Sequence, residues 1–132
     1  MKEFGNVVLL EPGKPGRIGE IDLSLESMQK IVGGMIQVIY PFWDSACLVC
    51  NDDGKNFGLP LNRALCDESD EVYDIVAGTF FICRQVEGEL VGLTEDQAEH
   101  YLKKYRNPEK FGSLEDGTIV VVEYMNGGNG DE

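Results

Sequence analysis

Basic residues are scarce in this chain. Lys and Arg together number 11 against 24 Asp and Glu, and the formal net charge is −13. A surface so poor in cations repels phosphate backbones, which argues against direct binding of nucleic acid. Histidine is nearly absent as well. His100 is the one imidazole, so a Cys–His or Ser–His–Asp arrangement would need the fold to carry that helix residue to a distant nucleophile. No Ser sits in a nucleophile-elbow context. No Walker loop and no G-x-G-x-x-G after a strand supplies a phosphate cradle. Long apolar runs are missing too. The longest near the N-terminus, "VVLL" (7–10), is too short for a secretory h-region and far too short for a membrane span. These absences point to a cytoplasmic, non-enzymatic protein with no membrane partner.

The cysteines do little to change this. There are four, Cys47, Cys50, Cys66 and Cys83, and a cytosolic setting keeps such thiols reduced. "CLVC" (47–50) has the spacing of a zinc knuckle or redox pair. Leu48 and Val49 are apolar where a knuckle takes turn residues. On a strand, residues three apart point to opposite faces. Core thiols are therefore expected, with no metal and no cofactor. "NDDGKN" (51–56) lacks the spaced acids and closing Glu of a calcium loop.

What is present fits one domain of 132 residues with 42% hydrophobic content. "NVVLLE" (6–11) and "RIGEIDL" (17–23) read as strands that can pair across the "PGKPG" turn. "SLESMQKIVGG" (24–34) reads as a helix, with Ser24 as N-cap, Glu26 in the first turn and Gly33 and Gly34 at its end. "MIQVIYPFW" (35–43) and "ACLVCND" (46–52) are rich in β-formers. "NDDGKN" predicts a tight hairpin that returns the chain through Phe57 to Leu61, since Asp-Gly supplies a positive φ. "CDESDEVYD" (66–74) reads as an acidic loop, and "IVAGTFFICRQV" (75–86) as a buried strand centred on 79–83. "LTEDQAEHYLKKYRN" (93–107) predicts a helix with a Thr94–Gln97 capping box and an apolar stripe of Ala98, Tyr101, Leu102 and Tyr105. "GTIVVVEYM" (117–125) predicts a last strand that could pair across a homodimer edge. Residues 126–132 read as a flexible acidic tail on a 1–125 domain. The fold class is α+β: a mostly antiparallel sheet of about six or seven strands and two helices in a single compact domain.

The negative charge is concentrated. Asp44 to Glu99 holds 13 acidic residues against Lys55, Arg63 and Arg84, or −10 of the −13. Within it, Asp67, Glu68, Asp70, Glu71 and Asp74 are candidates for a partner-binding face, with Asp52, Asp53, Glu87 and Glu89 beside them. Such a field attracts a basic partner and speeds its encounter.

"GLPLNRAL" (58–65) raises a different possibility. Arg63 offers a fork of donors suited to carboxylate or phosphate, and Asn62 can read an amide or base edge. Gly58, Pro60, Asn62 and Arg63, with the sole Trp, Trp43, form a candidate small-ligand site, for a nucleotide signal. The plain alternative is that Asn62 caps a helical turn starting at "RAL". Phe42 and Trp43 point in opposite directions on an extended chain, so one of them is expected at the surface.

The blocks "EIDLSLESMQKIVGGMIQVIYPF", "ACLVCNDDGKNFGLPLNRAL" and "YDIVAGTFFIC" together resemble the family catalogued as domain of unknown function 3846, found in phages, plasmids and other bacterial mobile elements. The resemblance runs from Val7 to Phe111 and is most specific in "VGG", "DDGK", "GLPLNR" and "IVAGTFF". As its name says, the family has no assigned activity, so no catalytic residue transfers. The resemblance marks Gly58, Leu59, Pro60, Asn62 and Arg63 as a block that matters. It also implies a bacterial host cell, where a small acidic protein can inhibit a host defence or nucleic-acid-handling protein by occupying its basic channel. The two functions expected are thus an acidic inhibitor of a basic host protein or nucleic-acid-binding complex, and a nucleotide-sequestering protein using the Asn62–Arg63 corner.

Overall fold

The computed structural model describes residues 3–124. In chain order these form β1 (Phe4–Leu10), β2 (Arg17–Asp22), α1 (Leu25–Val32), β3 (Ile36–Ile39), β4 (Ala46–Asn51), β5 (Leu61–Cys66), β6 (Val72–Ala77), β7 (Phe80–Val86), β8 (Glu89–Val91), α2 (Glu95–Tyr105), β9 (Glu109–Ser113) and β10 (Ile119–Tyr124). The class is α+β, as the sequence predicts. A six-stranded sheet runs β2-β1-β7-β4-β3, with β8 beside the end of β7, and two further two-stranded sheets pair β5 with β6 and β9 with β10. The pairing is antiparallel throughout.

Strand alternation sorts the core into two layers. Val8, Leu10, Leu48, Phe80 and Ile82 face one side of the central sheet. Val7, Cys47, Val49, Phe81 and Cys83 face the other. Helix α1 covers the second face with Met28 and Val32. Helix α2 and the β5–β6 hairpin cover the first, through Ala98, Tyr101, Tyr105, Leu65 and Val76. Because both faces are covered, β4 is buried at every position, and its sequence is an apolar run rather than an alternation.

The helix ends follow their capping residues. Ser24 accepts a hydrogen bond from the Ser27 amide and Gly33 closes α1 at φ 79°. Thr94 and Gln97 bond reciprocally to start α2.

The strands depart from the sequence expectation in four places. First, the hairpin across "NDDGKN" does not form. Strand β4 pairs with β3 and β7, and residues after Asp53 make a helical turn, with Phe57 N bonded to Asp53 O and Leu59 N to Gly54 O. Gly54 is needed for closeness instead of positive φ: a Cβ there would lie 2.9 Å from the Ala77 carbonyl oxygen. Second, 75–86 is split by Gly78 at φ 83° into β6 and β7. Third, the acidic "loop" is shorter than 66–74, because Cys66 ends β5 and Val72 begins β6. Fourth, short β8 and β9 bring the strand total among the described residues to ten, above the expected six or seven. The last strand is β10, paired to β9. Met125 and the expected tail at 126–132 lie outside the described residues. Among the described residues, no helix is long and apolar enough to cross a membrane.

Candidate functional site

The Asn62–Arg63 corner is built on a β-bulge. Leu61 pairs with Ala77 and Arg63 with Val76, so Asn62 is an extra residue in β5. A bulge re-aims side chains, and here Asn62 and Arg63 both lie fully buried. The Asn62 side-chain amide donates to the carbonyls of Leu10 at 2.9 Å and Gly78 at 2.8 Å. Its Oδ1 accepts from Arg63 Nη1 at 2.8 Å. Arg63 Nε donates to the Tyr105 carbonyl at 3.0 Å, and Nη2 to the carbonyls of Lys14 at 2.8 Å and Arg106 at 3.5 Å. The guanidinium therefore closes the C-terminus of α2, where unpaired carbonyls and the helix dipole favour a cation. Burial pulls the Arg63 pKa down from the ordinary guanidinium value, while nearby Glu109 opposes that shift.

This corrects two expectations. "RAL" lies in a strand, not a helical turn. Asn62 and Arg63 are sealed and committed to the protein's own backbone, so neither offers a free donor to a solute. Gly58 and Pro60 are exposed beside them, and Trp43 belongs to a different part of the surface. The signal that the sequence could have offered is the pair of polar residues inside "LNRAL", a buried polar couple tying a strand to a helix end.

The candidate carboxylates are all exposed, but they do not form one patch. Asp52, Asp53 and Asp74 line a cleft of about 310 Å³, where Lys55 pairs with Asp74 at 2.5 Å. Asp67, Glu68, Asp70 and Glu71 form the tip of the β5–β6 hairpin. Asp67 stiffens this tip, since its Oδ1 accepts from the amides of Ser69 at 2.8 Å and Glu71 at 3.0 Å. Tyr73 adjoins Asp74 in β6 and lines a groove with Asp67 and Glu68; its phenol pKa is raised by burial first, then by Asp74, Cys66 and Asp67. Glu87 and Glu89 sit on the β7–β8 turn, at the opposite end of β7 from Gly78 and the cleft that Ala77 lines with Asp52 and Asp53, a separation of roughly 20 Å along a strand of that length.

Trp43 stands on a rigid spur. Its neighbour Phe42 packs on Tyr101, ring centroids 4.5 Å apart. Asp44, on its other side, accepts from Tyr101 Oη at 2.8 Å, the Ala46 amide at 2.9 Å and Gln97 Nε2 at 3.1 Å. Burial would raise the Asp44 pKa, but these bonds outweigh it and hold it below the usual carboxylate value. Trp43 itself is 91% exposed. It flanks a groove of about 350 Å³ shared with Asp67, Glu68, Tyr73 and His100. Tyr73 escaped sequence reasoning because its segment is dominated by acids; the apolar "VYDIVA" that follows the acids was the available sign of a strand.

The cysteines are free thiols. Cys47 and Cys50 face opposite sides of the sheet, as strand spacing predicts. Cys47 meets Cys83 across the β4–β7 ladder, Sγ to Sγ 3.7 Å. Burial pushes the Cys50 thiol up to about 11. Among the described residues, no group of three or more His, Cys, Asp or Glu side chains is placed to hold a metal ion.

Comparison with curated proteins and with solved structures gave no match. A family model does match, over residues 1–106, from the N-terminus to the carbonyls that Arg63 caps. That span takes in the buried corner, the hairpin tip and the Trp43 groove and leaves out β9 and β10. The model is that of the domain of unknown function family DUF3846, and the chain belongs to that family.

Proposed function

We propose that this chain is a non-enzymatic interaction protein that binds a basic, nucleic-acid-handling protein of a bacterial host and blocks its charged channel. The observation that carries this reading is the β5–β6 hairpin tip. It holds four exposed carboxylates, Asp67, Glu68, Asp70 and Glu71, on a backbone stiffened by its own side chain. Like charges held together in this way repel one another, and a cationic partner relieves the repulsion. Asp52, Asp53 and Asp74 extend the negative surface past Tyr73. Glu87 and Glu89 lie at the far end of β7 from the Asp52–Asp53 cleft.

The test is competition. Poly-L-lysine bound to duplex DNA serves as the probe, and the chain is titrated in. It should displace the DNA, and displacement should weaken steeply as salt rises from about 50 to about 500 mM, because exposed charge pairs are screened over a Debye length. The quadruple variant Asp67→Asn, Glu68→Gln, Asp70→Asn, Glu71→Gln should lose most of the effect while keeping the Asp67 turn bonds. Displacement that is insensitive to salt, or unchanged in this variant, refutes the reading.

A further inference from the structure

Among the described residues Trp43 is the most exposed of the large apolar side chains, at 91%, yet both of its chain neighbours are anchored. Phe42 and Asp44 fix the backbone on either side of it. An indole held out in water by anchored neighbours gains little from the fold itself, since it buries almost no apolar area. Rigid, protruding aromatics are the residues that anchor interfaces, because little side-chain freedom is lost when they are covered.

What lies around it narrows the occupant. Tyr73 is an extra residue in β6, where Leu65 pairs with Asp74 but Cys66 with Val72. This bulge pushes Tyr73 outward, where it is 56% exposed and lines the same groove as Trp43. Asp67 and Glu68 line the groove as well. Two exposed aromatic side chains, Trp43 and Tyr73, and two carboxylates in one groove make a place for a planar cation. A guanidinium stacks on an indole or phenol face while its N–H edges donate to carboxylates. Lys104 also lines the groove, with its Nζ 5.7 Å from the Tyr105 ring centroid. Its charge opposes an incoming cation.

We infer that the groove between Trp43 and Tyr73 takes an arginine side chain from a basic segment of the partner, stacked on Trp43 and paired with Asp67 or Glu68. This rests on the acidic-surface reading above and adds to it a point of attachment and a preference for arginine over lysine.

The experiment uses the full chain and a fluorescein-labelled peptide of alternating Arg and Gly, with a Lys-Gly peptide of equal charge as the comparison. Anisotropy reads binding. Trp43 emission reads the groove directly, because it is the only Trp in the chain. The Arg peptide should bind more tightly than the Lys peptide and should change the Trp43 emission. Trp43→Ala should weaken it roughly tenfold, with Trp43→Phe intermediate. Lys104→Ala should tighten it, a change that loss of folding cannot mimic. If the Arg peptide binds with salt sensitivity while Trp43 emission stays constant and Trp43→Ala keeps full affinity, the inference is overturned and the acidic-surface reading survives. If neither peptide binds, both are overturned.

Discussion

Replacing Arg63 with Met tests whether the buried corner is a latch. Met keeps most of the side-chain length and apolar character, so the change isolates the guanidinium. The fully buried head of Arg63 supplies donors to the Tyr105 carbonyl, the Lys14 carbonyl and Asn62 Oδ1. Each acceptor left without a donor in a buried site costs about 1–3 kcal/mol. Loss of a cation from the C-terminus of α2 adds up to about 1 kcal/mol. Against this, the variant no longer desolvates a charge, which returns part of the cost. The expected net loss is roughly 3–5 kcal/mol, a large share of the total stability of an ordinary domain. For a chain of this size that corresponds to a fall in Tm of roughly 10–20 °C. Thermal and urea unfolding followed by circular dichroism measure it; Trp43, already in water in the folded state, is a poor reporter of unfolding. Arg63→Lys should fall between the two, since one ammonium cannot reach all three acceptors. Asn62→Ala combined with Arg63→Met should cost less than the sum of the single changes, because the two side chains share a bond of 2.8 Å. A variant Arg63→Met within about 1 kcal/mol of the parent would show that the guanidinium does not hold α2 to β5, and the latch argument would fail.

Two further outcomes follow from neighbouring features. The Glu109 carboxyl is half-buried and its pKa is raised above 4.5, chiefly by burial, against the lowering effects of the Ala64 amide and Arg63. Below that unperturbed value the group is protonated whether folded or unfolded, and its contribution to stability is fully present. As pH rises through the folded value the contribution is lost. Glu109→Gln, which still accepts from Ala64, should therefore be more stable than the parent at neutral pH, with the difference shrinking in acid; a urea-midpoint series against pH checks it, and a less stable variant at neutral pH refutes it. Gly78 sits at φ 83°, and an added Cβ would lie 2.7 Å from Leu59 Cδ1. Gly78→Ala should cost about 1–3 kcal/mol and loosen the β6–β7 junction, seen as faster exchange of the Leu59 amide, which donates to the Gly54 carbonyl, and of the amide at position 78, which donates to the Pro60 carbonyl; unchanged exchange and stability would contradict it.

The features written locally in the chain were legible in it. Ser24, Gly33, Thr94 and Gln97 act through atoms within four residues of themselves, so composition and spacing alone located both helices. The apolar runs of β1, β4 and β7 announced buried strands for the same reason. The "DDGK" turn was legible as a reversal but not as a hairpin. Hairpin pairing depends on which strand can cover β4 on both edges and both faces, and Phe57, exposed at 71%, cannot. The arrangement of the candidate site was likewise hidden. No local rule says that a bulge at Asn62 turns Arg63 toward the end of a helix some 40 residues on, since that bond exists only because long-range packing brings Tyr105 to it. Nor does any local rule say that Tyr73, Trp43 and the hairpin acids share a groove.

By itself, then, the sequence determined the helix ends, the buried strands, the α+β class and the excess of negative charge, because each depends on neighbours along the chain or on composition. Only the tertiary structure decided where that charge stands, which polar residues are sealed and which aromatic side chains are left in water. Those are properties of packing between segments remote in sequence, and packing is what converts "GLPLNR" from a candidate site into a structural latch and leaves Trp43 at the surface.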